Sequence, residues 1–427
     1  MVSMLQETPA GVIDPQQARE RPASQTASAA DAILIPEINL TPQEMIRRAT
    51  AMRQTLRDRQ LATEAAGRIL EETNDQFVAA GFYRVVQPRR FGGYEFDLPT
   101  YVRVMSEVSR GCPSSGWVLA LTAGHPIILA DLPEQSQIEA YGSDGEYRCP
   151  SLGVPIPVQR VQGGYLVSGF WDFASGCDIA THIMVSGLVP QEGAAPKPVL
   201  MLVDRKDYSI VDNWHMMGMQ GTGSRRVSVD KLFIPEHRVA PLAMWVGASG
   251  EKVHSNPMYN GRKAAFFMIE GGAVAMGTAR GMLDLYDELL RTKSMRFAPK
   301  TKLMEHPEFQ HYFGTAQALM DNADATVLKA AQDYMDACTA QAERGVEFSE
   351  EEDRRIFLMV QQATRLAFEA ADRIFTTAGT QIGQSKAMLG RYYRDLAIQR
   401  THFTQQMDRT AVNFARIHFG FAPLSPF

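Results

Sequence analysis

Two histidines are the side chains of this sequence best suited to proton transfer at neutral pH. His402 follows Asp395 by seven residues, which places both roughly on one face of a predicted helix. His125 follows Trp117 by eight residues, so these two also share a helical face. An imidazole with a pKa near 6.5 can give or take a proton at neutral pH. The alternative interpretations are a surface histidine at position 402 and, at position 125, a helix-end histidine that interacts with free carbonyls.

Two hydroxyl-bearing turns are candidates for ligand binding. Residues 221–224 read Gly-Thr-Gly-Ser, in which the glycines permit close backbone approach and the Thr222 and Ser224 hydroxyls can hold a phosphate. The segment lacks the third glycine and the following helix of a dinucleotide fingerprint, so an ordinary turn is the simpler interpretation. Ser175 supplies the other hydroxyl, in a short aromatic corner between two strand-like runs.

Composition argues against several classes of protein. The 427 residues suffice for several layers or domains, and 45% hydrophobic with 21% charged residues is ordinary for a soluble globular protein. The net charge of −5 gives no electrostatic case for nucleic acid, and the short basic runs 89–90 and 225–226 are typical of solvated surface. The four cysteines share no metal-ligand spacing, which predicts reduced thiols and no metal site. Without an apolar run of about 18 residues or a signal-peptide pattern, the protein is expected to be soluble and cytoplasmic, with no membrane partner.

The order of helical and strand-like segments predicts four regions. The proline-rich residues 1–40 are expected to form a disordered arm. Residues 41–147 are predicted to form a helical N-terminal domain that begins at a Thr41 cap. Residues 148–245 favour a middle β domain, and residues 246–427 favour a C-terminal helical bundle. One set of apolar residues in the last region repeats every three or four positions, as in a coiled-coil seam. These residues are Ile356, Val360, Ala363, Ala367, Ala370 and Ile374.

Several segments, in the right order, resemble one enzyme superfamily. Residues 170–178, Phe-Trp-Asp-Phe-Ala-Ser-Gly-Cys-Asp, resemble the flavin-facing segment of the acyl-CoA dehydrogenase superfamily in its oxygenase variant. That variant forms the oxygenase components of two-component aromatic monooxygenases such as 4-hydroxyphenylacetate hydroxylase. Residues 81–94, 234–237 and 391–402 are similar to further elements of the superfamily. The resemblance implies an α+β fold with an N-terminal helical domain, a middle β-barrel or sheet domain and a C-terminal four-helix bundle.

The resemblance also implies roles for individual residues. Ser175 would hydrogen-bond flavin N5, His402 would act as general base toward the substrate, and His125 would orient the substrate. Trp117 would line the substrate pocket together with the two histidines. The other residues implied to bind the flavin are Ser151, Trp171, Phe173, Ala174, Gly221, Thr222, Gly223 and Ser224. Arg291 and Arg296, after the first predicted helix of the bundle, are candidates for the flavin phosphate because a guanidinium binds phosphate in a fork.

The activity implied by the resemblance is that of a reduced-flavin-dependent monooxygenase. Reduced flavin, FMNH2 or FADH2, would react with O2 to give a C4a-hydroperoxide that hydroxylates a small aromatic molecule, phenolic or indolic. No nicotinamide-nucleotide fingerprint is visible, so a separate NAD(P)H-dependent flavin reductase is expected. The superfamily forms tetramers through its helical bundle, which implies a homotetramer.

Three alternatives remain open from the sequence. An acyl-CoA dehydrogenase would need a catalytic carboxylate and oxidised FAD. No glutamate stands at the usual place, and residues 173–176 read Phe-Ala-Ser-Gly where the dehydrogenases show Trp-Ile-Thr-Asn. An oxygenase that acts on nitrogen or sulfur would share the fold. A non-catalytic assembly protein would have lost the flavin site, which the joint presence of Ser175, Thr222 and His402 disfavours.

Overall fold

The computed structural model describes residues 33–242, 253–298 and 300–424. Its first residues are ordered: the Ile33 N–H donates to the Arg90 carbonyl at 3.2 Å, and the Glu37 carboxylate binds the Arg48 guanidinium at 2.7 Å. The expectation of disorder up to residue 40 is therefore wrong from residue 33 onward, because this stretch finds backbone and charged partners in the folded body. The rest of that expected arm, residues 1–32, lies outside the described residues.

Six helices form the N-terminal part of the chain. They are α1 (Pro42–Ala66), α2 (Glu71–Ala79), α3 (Leu98–Gly111), α4 (Pro113–Gly124), α5 (Pro126–Leu129) and α6 (Glu134–Tyr141). The Thr41 hydroxyl accepts the Glu44 N–H at 3.2 Å, so the predicted cap of α1 is confirmed. Small and apolar residues run around the whole of α4, and nearly all of that helix is buried as a result.

Eight strands form the middle of the chain. They are β1 (Ser151–Pro157), β2 (Gln159–Val161), β3 (Gly164–Ala174), β4 (His182–Gln191), β5 (Ala194–Asp204), β6 (Ser209–Val211), β7 (Arg225–Pro235) and β8 (Val239–Pro241). Two four-stranded sheets result, in the orders β1-β4-β5-β8 and β2-β3-β7-β6. All neighbours are antiparallel except β1 and β4. Apolar side chains of both sheets, such as Val167 and Val185, share one core.

Five helices form the C-terminal part. They are α7 (Ala264–Thr292), α8 (Pro307–Arg344), α9 (Glu350–Thr377), α10 (Met388–Arg400) and α11 (Met407–His418). The first three pack on one another, α10 packs on α7 and α9, and α11 packs on α9. Every residue of the predicted seam is buried in α9, as expected of a packing stripe. The predicted α+β fold, with helical terminal domains and a middle sheet domain, is confirmed.

The helical regions meet closely where α7 crosses α3. A Cβ atom at Gly277 would lie 2.1 Å from the Ser106 carbonyl oxygen, so only glycine permits this approach. α10 in turn contacts α4, and the turn Gln220–Thr222 contacts both α1 and α4. These contacts bring the ends of α4 and α10 to the edge of the sheets. In the described ranges, none of the helices combines the length and the apolar character that crossing a bilayer requires. The expected cytoplasmic location stays a prediction.

Candidate active site

A chain of four polar side chains joins the helices to the sheets. The Trp117 Nε1–H, on α4, donates to Ser175 Oγ at 3.1 Å. Ser175 Oγ lies 2.7 Å from Ser224 Oγ, which lies 2.6 Å from Thr222 Oγ1. All three hydroxyl-bearing residues are buried. The structure therefore brings the two hydroxyl-bearing turns of the sequence together at one place, which we call the hydroxyl chain.

The turn after β3 places Ser175 in this chain. The Gly176 N–H donates to the Thr222 carbonyl at 2.9 Å and ties the turn to the segment before β7. One guanidinium nitrogen of Arg225, at the start of β7, donates to both carboxylate oxygens of Asp178 at 2.7 and 2.8 Å. The Arg225 side chain is only 11% exposed. The expectation of a solvated position is wrong for Arg225, because its guanidinium is largely buried in an ion pair with Asp178 of the facing turn.

Phe173 presents an aromatic ring at the surface beside this turn. Its φ of 67° lies in the left-handed region, an uncommon conformation for a bulky residue, and its carbonyl accepts the Ser175 N–H at 2.9 Å. The ring is 67% exposed and meets Trp214 edge-on, with 6.1 Å between centroids. Backbone strain at an exposed aromatic residue points to a ligand-binding surface.

The side chain of Trp171, in contrast, lies in the core. It is 2% exposed, and its Nε1–H donates to the Ser186 carbonyl at 3.0 Å. The pairing of β3 with β7 shifts register between Trp171 and Ala174, so Trp171 and Phe173 do not share one face as regular alternation would require. The prediction that Trp171 binds flavin is wrong, since its side chain fills the space between the sheets. Ala174 is fully buried beside it.

The glycines of the 221–224 turn are explained by packing. A Cβ atom at Gly221 would lie 2.5 Å from Thr63 Cγ2 and 3.1 Å from Ser114 Cβ, so glycine lets the turn dock on α1 and α4. Gly223 has a φ of 55°, which glycine adopts without strain. The flavin contacts expected of these two glycines stay predictions.

Helix α10 holds the same turn from the other side. The Met219 N–H donates to Asp395 Oδ1 at 2.5 Å, and the Ser114 hydroxyl approaches Oδ2 at 3.4 Å. A Cβ atom at Gly218 would lie 2.2 Å from the Arg394 carbonyl oxygen, so the loop is pressed against the helix. Burial raises the pKa of Asp395 to about 7. The carboxyl group therefore anchors the segment that carries two members of the hydroxyl chain.

His402 follows α10 and meets the hydroxyl chain at Trp117. The two rings pack edge-on, with centroids 5.4 Å apart and planes at 73°. Its Nδ1 lies 2.8 Å from Thr404 Oγ1. Burial lowers the pKa of His402 from its ordinary value near 6.5 to about 4. The imidazole is therefore neutral at pH 7, and it is a weaker base than the sequence led us to expect.

Side chains of α9 hold the segment of His402, and the sequence analysis missed them. The Gln361 side-chain amide donates to the Thr404 carbonyl at 2.6 Å, and the Thr364 hydroxyl donates to Gln405 Oε1 at 2.8 Å. A signal was present in the sequence, since both polar residues interrupt the buried stripe of α9. A polar side chain at a buried position is expected to have a hydrogen-bond partner.

His125 is buried at the end of α4 and pairs with a residue that the sequence analysis did not identify. Its Nδ1 lies 2.6 Å from the Cys149 carbonyl, which only accepts, so Nδ1 carries a proton. Its Nε2 lies 3.6 Å from Glu270 Oε2, and both side chains are 1% exposed. Within the described ranges, neither Nε2 nor either Glu270 oxygen has a hydrogen-bond partner. Burial raises the pKa of Glu270. The sequence did contain a signal for Glu270, since it is the lone carboxylate in the apolar first turns of α7.

Three other predicted flavin-binding residues have different surroundings. Ser151 is half-buried at the first position of β1, in register with Met184. Arg291 is exposed near the end of α7 and donates to Asp287 at 2.8 Å. Arg296 is exposed, with its guanidinium 5.7 Å from the centroid of the Phe297 ring. Their roles at the flavin ring and phosphate stay predictions.

The residues at the hydroxyl chain fit a flavin ring. A flavin is planar, with an apolar face and polar atoms along its edge. The exposed ring of Phe173 offers a face on which to stack, and the Ser175 hydroxyl oxygen is a group that can hydrogen-bond a polar edge atom. The chemistry of these groups therefore suits the flavin that the sequence analysis expected.

Known families and known proteins match most of this chain. The acyl-CoA dehydrogenase N-terminal domain family matches residues 41–141, and the acyl-CoA dehydrogenase C-terminal domain family matches residues 269–407. A pigment production hydroxylase of Rhodococcus sp. is 30% identical over 89% of this chain and 97% of its own length. The oxygenase component of the FADH(2)-dependent resorcinol hydroxylase of Rhizobium sp. is 28% identical over 71% of this chain and 76% of its own length. The crystal structure of the HsaA monooxygenase from Mycobacterium tuberculosis has a TM-score of 0.82 and 27% identity, and the match covers 90% of this chain and all of that one.

The fold and the site together define a flavin-dependent monooxygenase built on the acyl-CoA dehydrogenase architecture. The chain belongs to the acyl-CoA dehydrogenase-like superfamily, among the oxygenase components of two-component flavin-dependent hydroxylases. Its cofactor is reduced flavin, used with O2. The predicted class of enzyme is confirmed, and the dehydrogenase and assembly-protein alternatives are set aside.

Proposed function

We propose that the enzyme hydroxylates a small phenolic or indolic ring, bound beside Trp117 and His402, with reduced flavin supplied by a separate NAD(P)H-dependent reductase. One observation carries the proposal: the indole of Trp117 hydrogen-bonds Ser175 and packs against His402. The edge of the flavin at Ser175 and the substrate ring at His402 would then lie on two sides of the Trp117 indole. The relatives named as hydroxylases, one of them for resorcinol, support an aromatic substrate.

The bound reduced flavin would supply the electrons that activate O2 for transfer of one oxygen atom, and the protein would hold and aim the flavin. Phe173 would stack on the ring face, while Ser175 Oγ would meet N5 on the ring edge. The hydroxyl chain holds Ser175 in one orientation, and the docking of its turn on α1, α4 and α10 keeps that orientation stable. A fixed contact at N5 would delay loss of the activated oxygen as hydrogen peroxide.

His402 would bind the substrate hydroxyl or N–H as a neutral imidazole. Its pKa of about 4 leaves the ring uncharged at working pH, so one ring nitrogen can accept a hydrogen bond from the substrate. Such a bond draws the proton away from the phenol oxygen or indole nitrogen and raises the electron density of the ring. The α9 side chains that hold Thr404 and Gln405 would keep the imidazole in place for this contact.

A homotetramer would complete the flavin site in this proposal. Three phenylalanines of the C-terminal half, Phe297, Phe419 and Phe421, are 76%, 71% and 61% exposed, and an oligomer interface would cover them. Arg296 lies exposed beside Phe297, and Arg291 is exposed near the end of α7. A flavin phosphate held by a neighbouring copy could meet either guanidinium. Light scattering of the purified protein would give the number of copies.

The proposal is tested by product analysis without a reductase. The protein is mixed with chemically reduced FAD or FMN, a panel of phenols and indoles, and oxygen labelled with ¹⁸O. A hydroxylated product that carries one ¹⁸O atom is the expected result. Quantitative release of hydrogen peroxide with every ring compound, and no labelled product, would overturn it.

A further inference from the structure

The hydrogens of the hydroxyl chain can point in only one direction. Thr222 Oγ1 lies 2.8 Å from the Met219 carbonyl oxygen, which has no hydrogen to give, so Thr222 donates there. Thr222 must then accept from Ser224 across the 2.6 Å contact, and Ser224 must accept from Ser175 across the 2.7 Å contact. In the opposite order, the Thr222 hydroxyl would donate to Ser224. A lone pair of Thr222 Oγ1 would then face a lone pair of the Met219 carbonyl oxygen, with no hydrogen between them. Three hydroxyl hydrogens thus serve three contacts in a single order.

Ser175 is left as a pure acceptor toward any ligand. Its only hydroxyl hydrogen goes to Ser224, and one of its two lone pairs accepts the Trp117 N–H at 3.1 Å. In the part of the chain that the structure describes, Ser175 Oγ makes no other hydrogen bond. One lone pair therefore remains, and a partner that carries a hydrogen would match it.

From this order we infer that Ser224 and Thr222 are positioning residues that make the site selective for the reduced state of flavin. The inference rests on the proposed contact between Ser175 and flavin N5. Reduced flavin carries a hydrogen at N5 and can donate it to the free lone pair of Ser175. Oxidised flavin has only a lone pair at N5, so it would face Ser175 without a hydrogen between them. The site would hold the flavin while it is reduced and release it once oxidised, as an enzyme that depends on a separate reductase requires.

Thr222→Val tests the inference while preserving the shape of the side chain. Without the Thr222 hydroxyl, Ser224 can turn its hydrogen toward Ser175, and the hydrogen of Ser175 becomes free for a ligand. The dissociation constants of oxidised and reduced FAD are measured by titration, the reduced form without oxygen. The ratio of the oxidised to the reduced constant should fall about tenfold in Thr222→Val. Thr222→Ser, which restores the hydroxyl, should return the ratio of the wild-type protein.

Ser224→Ala is the second variant, because it removes the acceptor of the Ser175 hydrogen directly and should lower the ratio as well. Thr376→Val, at an exposed position of α9, is the matched control and should leave both constants unchanged. An unchanged ratio in folded Thr222→Val and Ser224→Ala would overturn the inference while wild-type binding of reduced flavin still supported the proposed function. Failure of the wild-type protein to bind either form would overturn both.

Discussion

The indole N–H of Trp117 donates to the hydroxyl of Ser175 across 3.1 Å, and this bond connects helix α4 with the turn after β3. The same indole packs edge-on against His402, at the end of α10. Three segments far apart in the sequence therefore meet at one side chain. Substitutions at that meeting point, or at the groups that hold it in place, should therefore change flavin binding or hydroxylation.

Replacement of Ser175 by Ala should uncouple oxygen consumption from hydroxylation. The variant keeps the exposed ring of Phe173 and should still bind reduced flavin, but it loses the oxygen that meets the flavin edge. We expect hydroxylated product per reduced flavin to fall about tenfold or more, with a matching rise in hydrogen peroxide. Ser209→Ala, at an exposed position of β6, is the control and should match the wild-type yield. Equal yields in Ser175→Ala and the control would rule out the proposed contact.

Replacement of His402 by Ala should lower hydroxylation and leave flavin binding intact. Loss of the acceptor for the substrate should reduce the rate about tenfold. Gln, which can also accept a hydrogen bond, should retain more activity than Ala. The control is His418→Ala, at an exposed histidine of α11. Unchanged turnover of an active wild-type substrate in His402→Ala would show that this residue takes no part.

The pH dependence of substrate binding should follow the lowered pKa of His402. The group stays neutral as the pH falls past 6.5 and becomes protonated only near pH 4. Binding of the aromatic substrate, measured by titration, should therefore be constant from pH 8 to about pH 5 and fall below that. A midpoint near 6.5 would contradict the burial of this imidazole.

Asp395 should matter for flavin binding although it is not proposed to contact the flavin. Asp395→Ala leaves the Met219 N–H without its acceptor and loosens the turn that carries Thr222 and Ser224. The unpaired N–H should cost about 1–3 kcal/mol, and affinity for reduced flavin should fall about tenfold. Asp395→Asn keeps the acceptor oxygen and should bind flavin like the wild-type protein. Similar losses of flavin affinity in both variants would show that the negative charge of Asp395, and not its hydrogen bond to Met219, supports flavin binding.

Glu270→Gln should stabilise the folded protein at alkaline pH. Burial raises the pKa of Glu270 above 4.5, its ordinary value, so the folded state resists deprotonation. The wild-type free energy of unfolding should then decrease as the pH rises above about 4.5, and the variant should lack this decrease. At pH 8 the variant should be more stable by about 1–3 kcal/mol, because its amide can donate to Nε2 of His125. Denaturant unfolding at pH 5 and pH 8 measures the difference. A variant less stable than wild type at pH 8 would contradict this expectation.

Much of the architecture could be predicted from local patterns. The Thr41 cap and the seam of α9 depend on residues close in sequence, and the structure shows both. The aromatic corner around Ser175 was also recognisable, because its residue types stand in one short segment. Local hydrogen bonding and helical periodicity suffice for features of this kind.

The direction of individual side chains could not be predicted in the same way. Regular alternation in β3 would place Trp171 and Phe173 on one face, but the register shift between them separates a core residue from a surface ring. The pairing of His125 with Glu270 joins α4 to α7 across more than a hundred residues of sequence. The close packing of Gly221 on Thr63 was likewise not predictable from the sequence. Each case depends on tertiary contacts that no short segment contains.

In the proposed function, this site holds reduced flavin and controls its reaction with oxygen. The most direct test mixes the protein and reduced FAD, prepared without air, with oxygenated buffer, and follows the appearance of oxidised flavin by its absorbance. Oxidised flavin should appear more slowly than from free reduced FAD under the same conditions, and Ser175→Ala should abolish most of that delay. Oxidation at the rate of free flavin in the wild-type protein, with FMN as well as FAD, would contradict the account.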